Sequence, residues 1–296
     1  MPAAAASRPP PVRRVRGAGA AIVGIAPFAV FSMLFLLLPT LYLLIGAFQD
    51  ADGAFTFANI EGLFTPSVLA AFRVSISISA ASAVIGGAAG VAVALAVRGD
   101  VLPRAVRAAV QTLSGVASNF AGVPLAFAFL VTLGRTGVVT VLLSQIFGIQ
   151  LYATGFNLLS IAGLTFTYVY FQLPLMVLVI LPAVDGLKRE WAEASAMLGA
   201  SPWQYALRIA APVLAPSIAG AMLLLFANAF GAVATAYALT GSSINLVTIL
   251  LYAQIRGDVL HDENLGYALA LGMVVVTGVC NIAYLRLRAF SDRRLR

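Results

Sequence analysis

Charged, metal-binding and disulfide-forming side chains are scarce in this sequence. Only 10% of its 296 residues are charged, whereas an ordinary soluble domain has about 25%. There is one cysteine, Cys280, and one histidine, His261. A single cysteine excludes an internal disulfide, and neither residue has a second copy with which to share a metal ion. We therefore expect no cofactor and no metal site, and we interpret His261 as a solvated loop residue.

Lysine is nearly absent too, which bears on nucleotide chemistry. A phosphate-binding P-loop needs a glycine-rich backbone followed by a lysine that reaches the phosphates. The single lysine, Lys188, does not lie in such a context. The chain is therefore not expected to be an ATP-hydrolysing enzyme by this route.

Apolar residues are abundant instead, at 61% of the chain, with a mean hydropathy of +0.98. A membrane-spanning helix needs about 20 apolar residues to cross roughly 30 Å of hydrocarbon, so the chain has room for about six spans. The sequence predicts an all-α polytopic membrane protein. The predicted spans are residues 20–48, 74–97, 116–133, 156–181, 214–239 and 265–285.

The basic residues indicate how these spans are oriented. Of the 18 lysines and arginines, all but Arg73, Arg135 and Arg256 fall on the side of the two termini. The positive-inside rule therefore predicts both termini in the cytoplasm. The net charge of +7 follows from this topology, so lipid is an expected partner and nucleic acid is not. Residues 1–19, rich in Pro, Ala and Arg, are predicted to be a disordered cytoplasmic tail, and residues 20–296 form the membrane domain.

One polar segment, EWAEASAMLGASPWQYALRIAAP at residues 190–212, interrupts the apolar pattern on the cytoplasmic side. Four apolar residues, one just before the segment and three within it, are spaced so that they lie on one face of a helix. They are Leu187, Trp191, Ala194 and Leu198. Gly199 is expected to end this helix in a left-handed turn. Ser201, with Gln204, predicts a capping box that starts a second helix. The pattern thus predicts a helix, a sharp turn that we call the elbow, and a second helix. Pro212 is expected to break or kink the chain near the membrane.

Pattern alone leaves two interpretations of the elbow, since an amphipathic loop can also rest on lipid headgroups. Its residues, however, resemble the EAA loop of inner-membrane permeases of binding-protein-dependent ABC importers. That family pattern is Glu-Ala-Ala, three residues, Gly, nine residues and Ile-x-Leu-Pro. This chain departs from the pattern at two positions. Ser195 stands where the second alanine is expected, and Ala211 stands where the leucine is expected. The candidate coupling residues are Glu193, Ala194, Ser195, Gly199, Ala200, Ser201, Ile209 and Pro212.

The resemblance implies a type I permease of six spans whose elbow inserts into a separate ABC ATPase subunit. It also implies a second permease subunit, identical or different, an extracytoplasmic solute-binding protein and alternating access. Glu193 would stabilise the loop, and Gly199 would form its turn. Segments beginning at Ala117 and Phe226 look similar to the spermidine/putrescine subgroup, which favours a polyamine as cargo. Phosphonate, thiamine, ferric ion and sugar stay open as alternatives.

Two other classes of membrane protein fit the sequence less well. An ion-coupled carrier usually places ionisable groups within the membrane, but none of the 11 acids falls in the middle of a predicted span. An intramembrane enzyme needs a polar catalytic cluster at that depth, and none is found. Ser75, Ser79, Ser82, Gly86 and Gly90 share one helix face, which favours close helix packing over chemistry.

Few polar residues within spans are candidates for a translocation path. Each of them could instead be satisfied by a neighbouring helix, because unsatisfied amides in hydrocarbon are costly. These candidates are Asn119, Gln172, Asn228, Thr235 and Tyr237. The loops at residues 49–66 and 256–266 are the predicted docking surface for a binding protein.

Overall fold

The computed structural model describes residues 18–98, 102–256 and 262–294. Residues 1–17 of the predicted tail and His261 lie outside these ranges, as does part of the predicted docking loop at 256–266. The helices are α1 (Ala18–Ser32), α2 (Leu38–Gly46), α3 (Ala58–Gly62), α4 (Pro66–Arg98), α5 (Arg104–Asn119), α6 (Val123–Leu133), α7 (Val138–Phe147), α8 (Ile161–Asp185), α9 (Arg189–Met197), α10 (Pro202–Tyr205), α11 (Ala211–Phe230), α12 (Val233–Thr240), α13 (Val247–Arg256) and α14 (Glu263–Arg294).

Six helical stretches within the described residues are long and apolar enough to cross a membrane. They are Gly24–Gly46, Pro66–Arg98, Val123–Phe147, Ile161–Asp185, Pro202–Phe230 and Glu263–Arg286. The predicted all-α polytopic architecture is confirmed. The first, second, fourth and sixth predicted spans overlap the observed helices closely, whereas the third and fifth need correction.

The third predicted span, residues 116–133, is wrong because the chain breaks inside it. α5 ends at Asn119 and α6 begins at Val123, with Gly122 between them at a φ of +73°. Proline near the start of α6 fits a helix N-terminus, where no amide donor is lost. Hydropathy missed α5 because that helix carries polar residues on one face. α5 and α6 together run beside α8, with Arg107 bonded to Asp185 at one end and Phe129 packed against Phe166 nearer the other.

The fifth predicted span, residues 214–239, also differs from the structure. The chain is helical without interruption from Pro202 to Phe230, and it breaks at Gly231 and Ala232 before α12. Pro212 does not end the helix as expected. The preceding five residues, Ala206–Ala210, form a π-helical turn in which the amide of Ala211 donates to the carbonyl of Ala206. This wider turn accommodates the proline, which lacks an amide and crowds the previous turn of an α-helix.

The core lies where α4, α8 and α11 pack together. α4 approaches α8 closely through glycines, since a Cβ added at Gly86 would lie 2.6 Å from the Cβ of Gln172 and one at Gly90 would lie 2.5 Å from that of Met176. The hydroxyl of Ser75 accepts from the amide of Val247, at 2.9 Å. The small-residue face of α4 therefore packs helices, as predicted, because small side chains let backbones approach.

Candidate functional site

The elbow is a sharp turn built by its backbone. α9 ends at Met197, and Gly199 adopts a φ of +78°. The amide of Gly199 donates to the carbonyl of Ala196 at 2.9 Å, and that of Ala200 donates to Ser195 at 3.0 Å. This pair of bonds is a Schellman motif, in which a residue in the left-handed region closes a helix. The predicted role of Gly199 as the turn agrees with this geometry.

The second half of the elbow begins with the predicted capping box. The hydroxyl of Ser201 accepts from the amide of Gln204 at 3.2 Å, and the Gln204 side chain accepts from the amide of Ser201 at 2.8 Å. Pro202 occupies the first turn of α10. Both sides of the turn are thus closed by local hydrogen bonds, which gives the elbow a defined shape.

The tip of the elbow exposes large apolar side chains. Met197 is 91% exposed, Leu198 88% and Trp203 71%. The predicted apolar stripe therefore packs only at its start, where Leu187 is buried and Trp191 contacts the core. Between the two arms lies an apolar cavity of about 460 Å³. Its lining residues are Trp191, Ala194, Ser195, Leu198, Ala200, Ile209 and Val213.

The remaining coupling candidates divide into packed and exposed residues. Ser195 is buried, and its hydroxyl donates to the carbonyl of Ala192 at 2.8 Å. Ile209 is half-buried, and Pro212 is exposed. Glu193 is also exposed, and within the described part of the chain its carboxylate makes no hydrogen bond or ion pair. Its predicted role as a stabiliser of the loop therefore has no intramolecular contact behind it.

Two arginines attach the base of the elbow to neighbouring helices. The guanidinium of Arg107 on α5 donates to both carboxylate oxygens of Asp185, at 2.7 and 2.6 Å. That of Arg98, at the end of α4, donates to the carbonyl of Leu187. The sequence placed these residues on one side of the membrane but did not predict their pairing, because partners distant in sequence leave no local pattern.

The breaks in the third and fifth membrane segments lie against each other. The amide of Gly122 donates to the hydroxyl of Thr235 at 2.8 Å. The Tyr168 hydroxyl of α8 donates to the carbonyl of Ala232 at 2.6 Å. Backbone groups freed by a helix break need partners in a membrane, and these two side chains supply them. Sequence reasoning missed the pairing, although the Gly122–Val123–Pro124 run is a helix-start signal.

The five translocation candidates do not form one site. Gln172 and Thr235 are buried and serve neighbouring helices, since the Gln172 amide donates to the carbonyl of Leu225 at 2.8 Å. Asn119, Asn228 and Tyr237 are exposed. Asn119 ends α5 and Asn228 precedes the break after α11, so both lie beside the helix breaks.

Comparison with known proteins identifies the family. Residues 86–296, which include the elbow and both breaks, match the family described as binding-protein-dependent transport system inner membrane component. The chain belongs to this family. It is thus an inner-membrane permease component of an ABC importer, a transport subunit rather than a catalytic one. The predicted type I permease fold and family resemblance are confirmed.

Relatives of this permease are distant. It is 29% identical over 129 residues to the spermidine/putrescine transport system permease protein PotB of Haemophilus influenzae, a match covering 43% of this chain and 44% of that protein. The matched region thus spans less than half the length of that curated relative.

Two solved structures share the permease fold. One is a bacterial ABC transporter involved in the import of the acidic polysaccharide alginate, with a TM-score of 0.70, 20% identity and coverage of 93% of this chain and 96% of that one. The other is a bacterial alginate ABC transporter in complex with an alginate pentasaccharide-bound periplasmic protein, with a TM-score of 0.68, 19% identity and coverage of 90% and 92%. At these identities the likeness concerns the fold alone.

Proposed function

We propose that the elbow at residues 189–212 is the docking element for a separate ABC ATPase subunit. The observation that carries this proposal is the exposure of Met197, Leu198 and Trp203 around a backbone-defined turn. Contiguous apolar side chains at the polar end of a membrane protein favour a protein partner, because leaving them in water is unfavourable. The match of Glu193, Gly199 and Ile209 to the EAA spacing supports the same partner.

Glu193 adds an electrostatic component to this docking. Its carboxylate is exposed beside the turn and has no partner in the described chain. An arginine or lysine on the ATPase surface would pair with it and set the register of docking. In this proposal Glu193 stabilises the loop through the partner rather than within the permease.

Helix continuity supports a role in force transmission. From Pro202 the elbow continues as one helical rod into α11 and on to Phe230. Trp191 and Tyr205 pack on the core. A displacement of the elbow would therefore move α11 and the break at Gly231. The helix after that break, α12, is bonded through Thr235 to Gly122 of the other break. ATP-driven approach of two elbows would change the relation of the two breaks, and this change is the proposed basis of alternating access.

We place the translocation path along the exposed residues beside the breaks. Asn119, Asn228 and Tyr237 are accessible from outside the single chain. A second permease subunit, identical or different, would complete the path by facing this surface. Broken helices are a recurring device for solute sites near the membrane midplane, because freed backbone groups and helix ends become available there.

A polyamine is the proposed cargo. The partial match to a spermidine/putrescine permease supports it. Beside Asn119, the exposed rings of Phe120 and Tyr170 have centroids 6.4 Å apart, and the half-buried Phe129 lies 5.7 Å from Tyr170. Aromatic faces attract ammonium groups without a buried carboxylate. Phosphonate, thiamine, ferric ion and sugar are the alternative cargoes.

Orientation and the outer partner complete the proposal. The positive-inside distribution supports cytoplasmic termini and a cytoplasmic elbow. The opposite end, including the loop at residues 49–66, would then receive an extracytoplasmic binding protein. In that loop Phe48, Phe55 and Phe57 form a packed aromatic cluster that is suited to recognition.

Co-purification with the cognate ABC ATPase subunit tests the coupling role. Leu198→Glu places a charge on the exposed tip, and we expect it to abolish ATPase binding and solute-stimulated ATP hydrolysis. The matched control is Phe64→Glu, at a residue that is 69% exposed in the loop before α4. This variant should bind the ATPase as the wild type does. Normal ATPase binding by Leu198→Glu would refute the docking proposal.

Uptake by the reconstituted complex tests the cargo and the energy source. Labelled spermidine should enter proteoliposomes only when the ATPase and ATP are present. Uptake by the permease alone, driven by an ion gradient, would instead establish the ion-coupled carrier.

A further inference from the structure

An open cavity of about 360 Å³ with several polar side chains in its wall lies at the end of the bundle opposite the elbow. It is bordered by the link between α6 and α7, one face of α7 and the 3-10 turn Leu151–Thr154. We call it the α7 cavity, and its lining residues are Arg135, Thr140, Val141, Ser144, Gln145, Gln150, Leu151, Tyr152 and Ala153. Nothing in the proposed transport mechanism uses it.

Arg135 supplies the positive charge of this cavity. Its guanidinium carbon lies 5.2 Å from the centre of the Tyr152 ring. That ring is fixed, because its hydroxyl donates to the carbonyl of Leu133 at 2.9 Å and it forms a T-shaped pair with Phe156 at a centroid distance of 5.8 Å. Arginine stacked on an aromatic ring keeps its donors directed outward, and its planar fork suits a phosphate.

The hydroxyl of Thr140 is a buried donor without an acceptor among the described residues. Only 8% of this residue is exposed, yet its hydroxyl has no hydrogen-bond partner in the described chain. A helical threonine usually satisfies its hydroxyl on the preceding turn, and Thr140 does not. A buried donor without a partner is destabilising, because it has lost its hydrogen bonds to water. A ligand oxygen in the α7 cavity would satisfy it.

The cavity wall favours an anion. Between Asp100 and Asp185 the sequence contains no acidic residue, so no carboxylate of this segment opposes Arg135. Ser144, Gln145 and Gln150 add neutral polar groups to the lining. One cation, an unsatisfied hydroxyl and neutral donors form a suitable environment for one phosphate group.

The outer face of α7 indicates where that phosphate comes from. Beside the polar cavity this helix exposes Val138, Ile146 and Phe147, the last at 68%. α7 is the last part of the stretch Val123–Phe147, which is apolar and long enough to cross a membrane, so its exposed apolar side chains suit contact with acyl chains. A ligand with a phosphate and long acyl chains matches both surfaces, whereas free phosphate matches only the cavity.

We propose that the α7 cavity binds the headgroup phosphate of a phospholipid, with Arg135 and Thr140 as its principal ligands and α7 alongside the acyl chains. Given the orientation proposed above, this lipid belongs to the outer leaflet of the inner membrane. Lipid binding there anchors the link between α6 and α7. This link follows the C-terminal end of α6, whereas the break at Gly122 precedes its N-terminal end.

Lipid binding to the delipidated, purified permease tests this site. The probes are phosphatidylglycerol, diacylglycerol with the same acyl chains and inorganic phosphate, measured by native mass spectrometry and thermal unfolding. We expect phosphatidylglycerol to bind and stabilise the protein, and Arg135→Gln to weaken binding about tenfold. Arg73→Gln, at another exposed arginine assigned to the same membrane face, should bind as the wild type does.

Thr140→Val separates lipid binding from fold stability. Because it removes an unsatisfied hydroxyl, this variant should unfold at the same or a higher temperature without lipid, yet gain less stability from phosphatidylglycerol. Equal binding of diacylglycerol would overturn the proposal in favour of apolar contact alone. Stabilisation by inorganic phosphate as strong as that by phosphatidylglycerol would overturn the lipid as the source.

Discussion

Substitution of Gly199 by alanine tests whether the shape of the elbow matters for coupling. Gly199 has a φ of +78°, and a Cβ added there would meet nothing within 4 Å. The cost of alanine is therefore entirely backbone strain, about 1–2 kcal/mol for an L-residue in the left-handed region. Such a free energy lowers the population of the observed turn by about 5- to 30-fold relative to other turns.

The expected phenotype is loss of coupling with an intact membrane bundle. Uptake by the complex reconstituted with its ATPase should fall by up to the same factor, while expression and thermal unfolding of the permease stay near wild type. Gly199→Asn should retain more uptake than Gly199→Ala, because asparagine tolerates the left-handed region. Gly199→Pro should be the most severe, since proline requires a negative φ and removes the amide that donates to Ala196.

Gly278→Ala is the matched control, because this glycine also has open space for a Cβ but lies within α14. It should leave uptake unchanged. If Gly199→Ala and Gly199→Pro both transport and hydrolyse ATP at wild-type rates, the turn has no part in coupling and the reasoning fails.

Three further predictions concern local structure. Ser201→Ala removes the capping box and about 1 kcal/mol, so limited proteolysis within the elbow should accelerate several-fold; unchanged cleavage would contradict the cap. Tyr168→Phe leaves the carbonyl of Ala232 without its donor, at a cost of about 1–3 kcal/mol, and should lower the unfolding temperature in detergent. Gly86→Ala introduces a Cβ only 2.6 Å from a side-chain carbon of α8 and should destabilise by about 1–3 kcal/mol in the same assay. Gly24→Ala, with open space, is its control, and equal melting of these two variants would refute the close packing.

Local chemistry made the elbow predictable. Gly199 ends a helix and Ser201 starts one because each bonds to backbone within a few residues, and such bonds depend on neighbours in the chain. The same holds for membrane insertion, which depends on the apolar content of a segment. Pro212 was predicted to break or kink the chain, and it does not break the helix because the preceding turn widens. The sequence pattern does not reveal whether a turn can widen.

The helix breaks illustrate what local patterns cannot reveal. Hydropathy averages over a window, so it merged the apolar parts around Gly122 and Gly231 into single spans. Hydropathy did not predict α5, because one side of this helix is polar. Arg107 on that side is bonded to Asp185 of α8. For Gln172 and Thr235 the sequence could not reveal which helices they bond to, because those partners are far away in the chain.

The amino-acid sequence by itself determined that this chain is a six-span, all-α membrane protein with a capped elbow, because hydrophobicity and helix ends act over a few residues. Only the tertiary structure decided that the two breaks lie close together, that the side chains at the elbow tip are exposed and that the Thr140 hydroxyl has no partner among the described residues. Those features arise from contacts between residues far apart in sequence, whose pairing depends on how the helices pack.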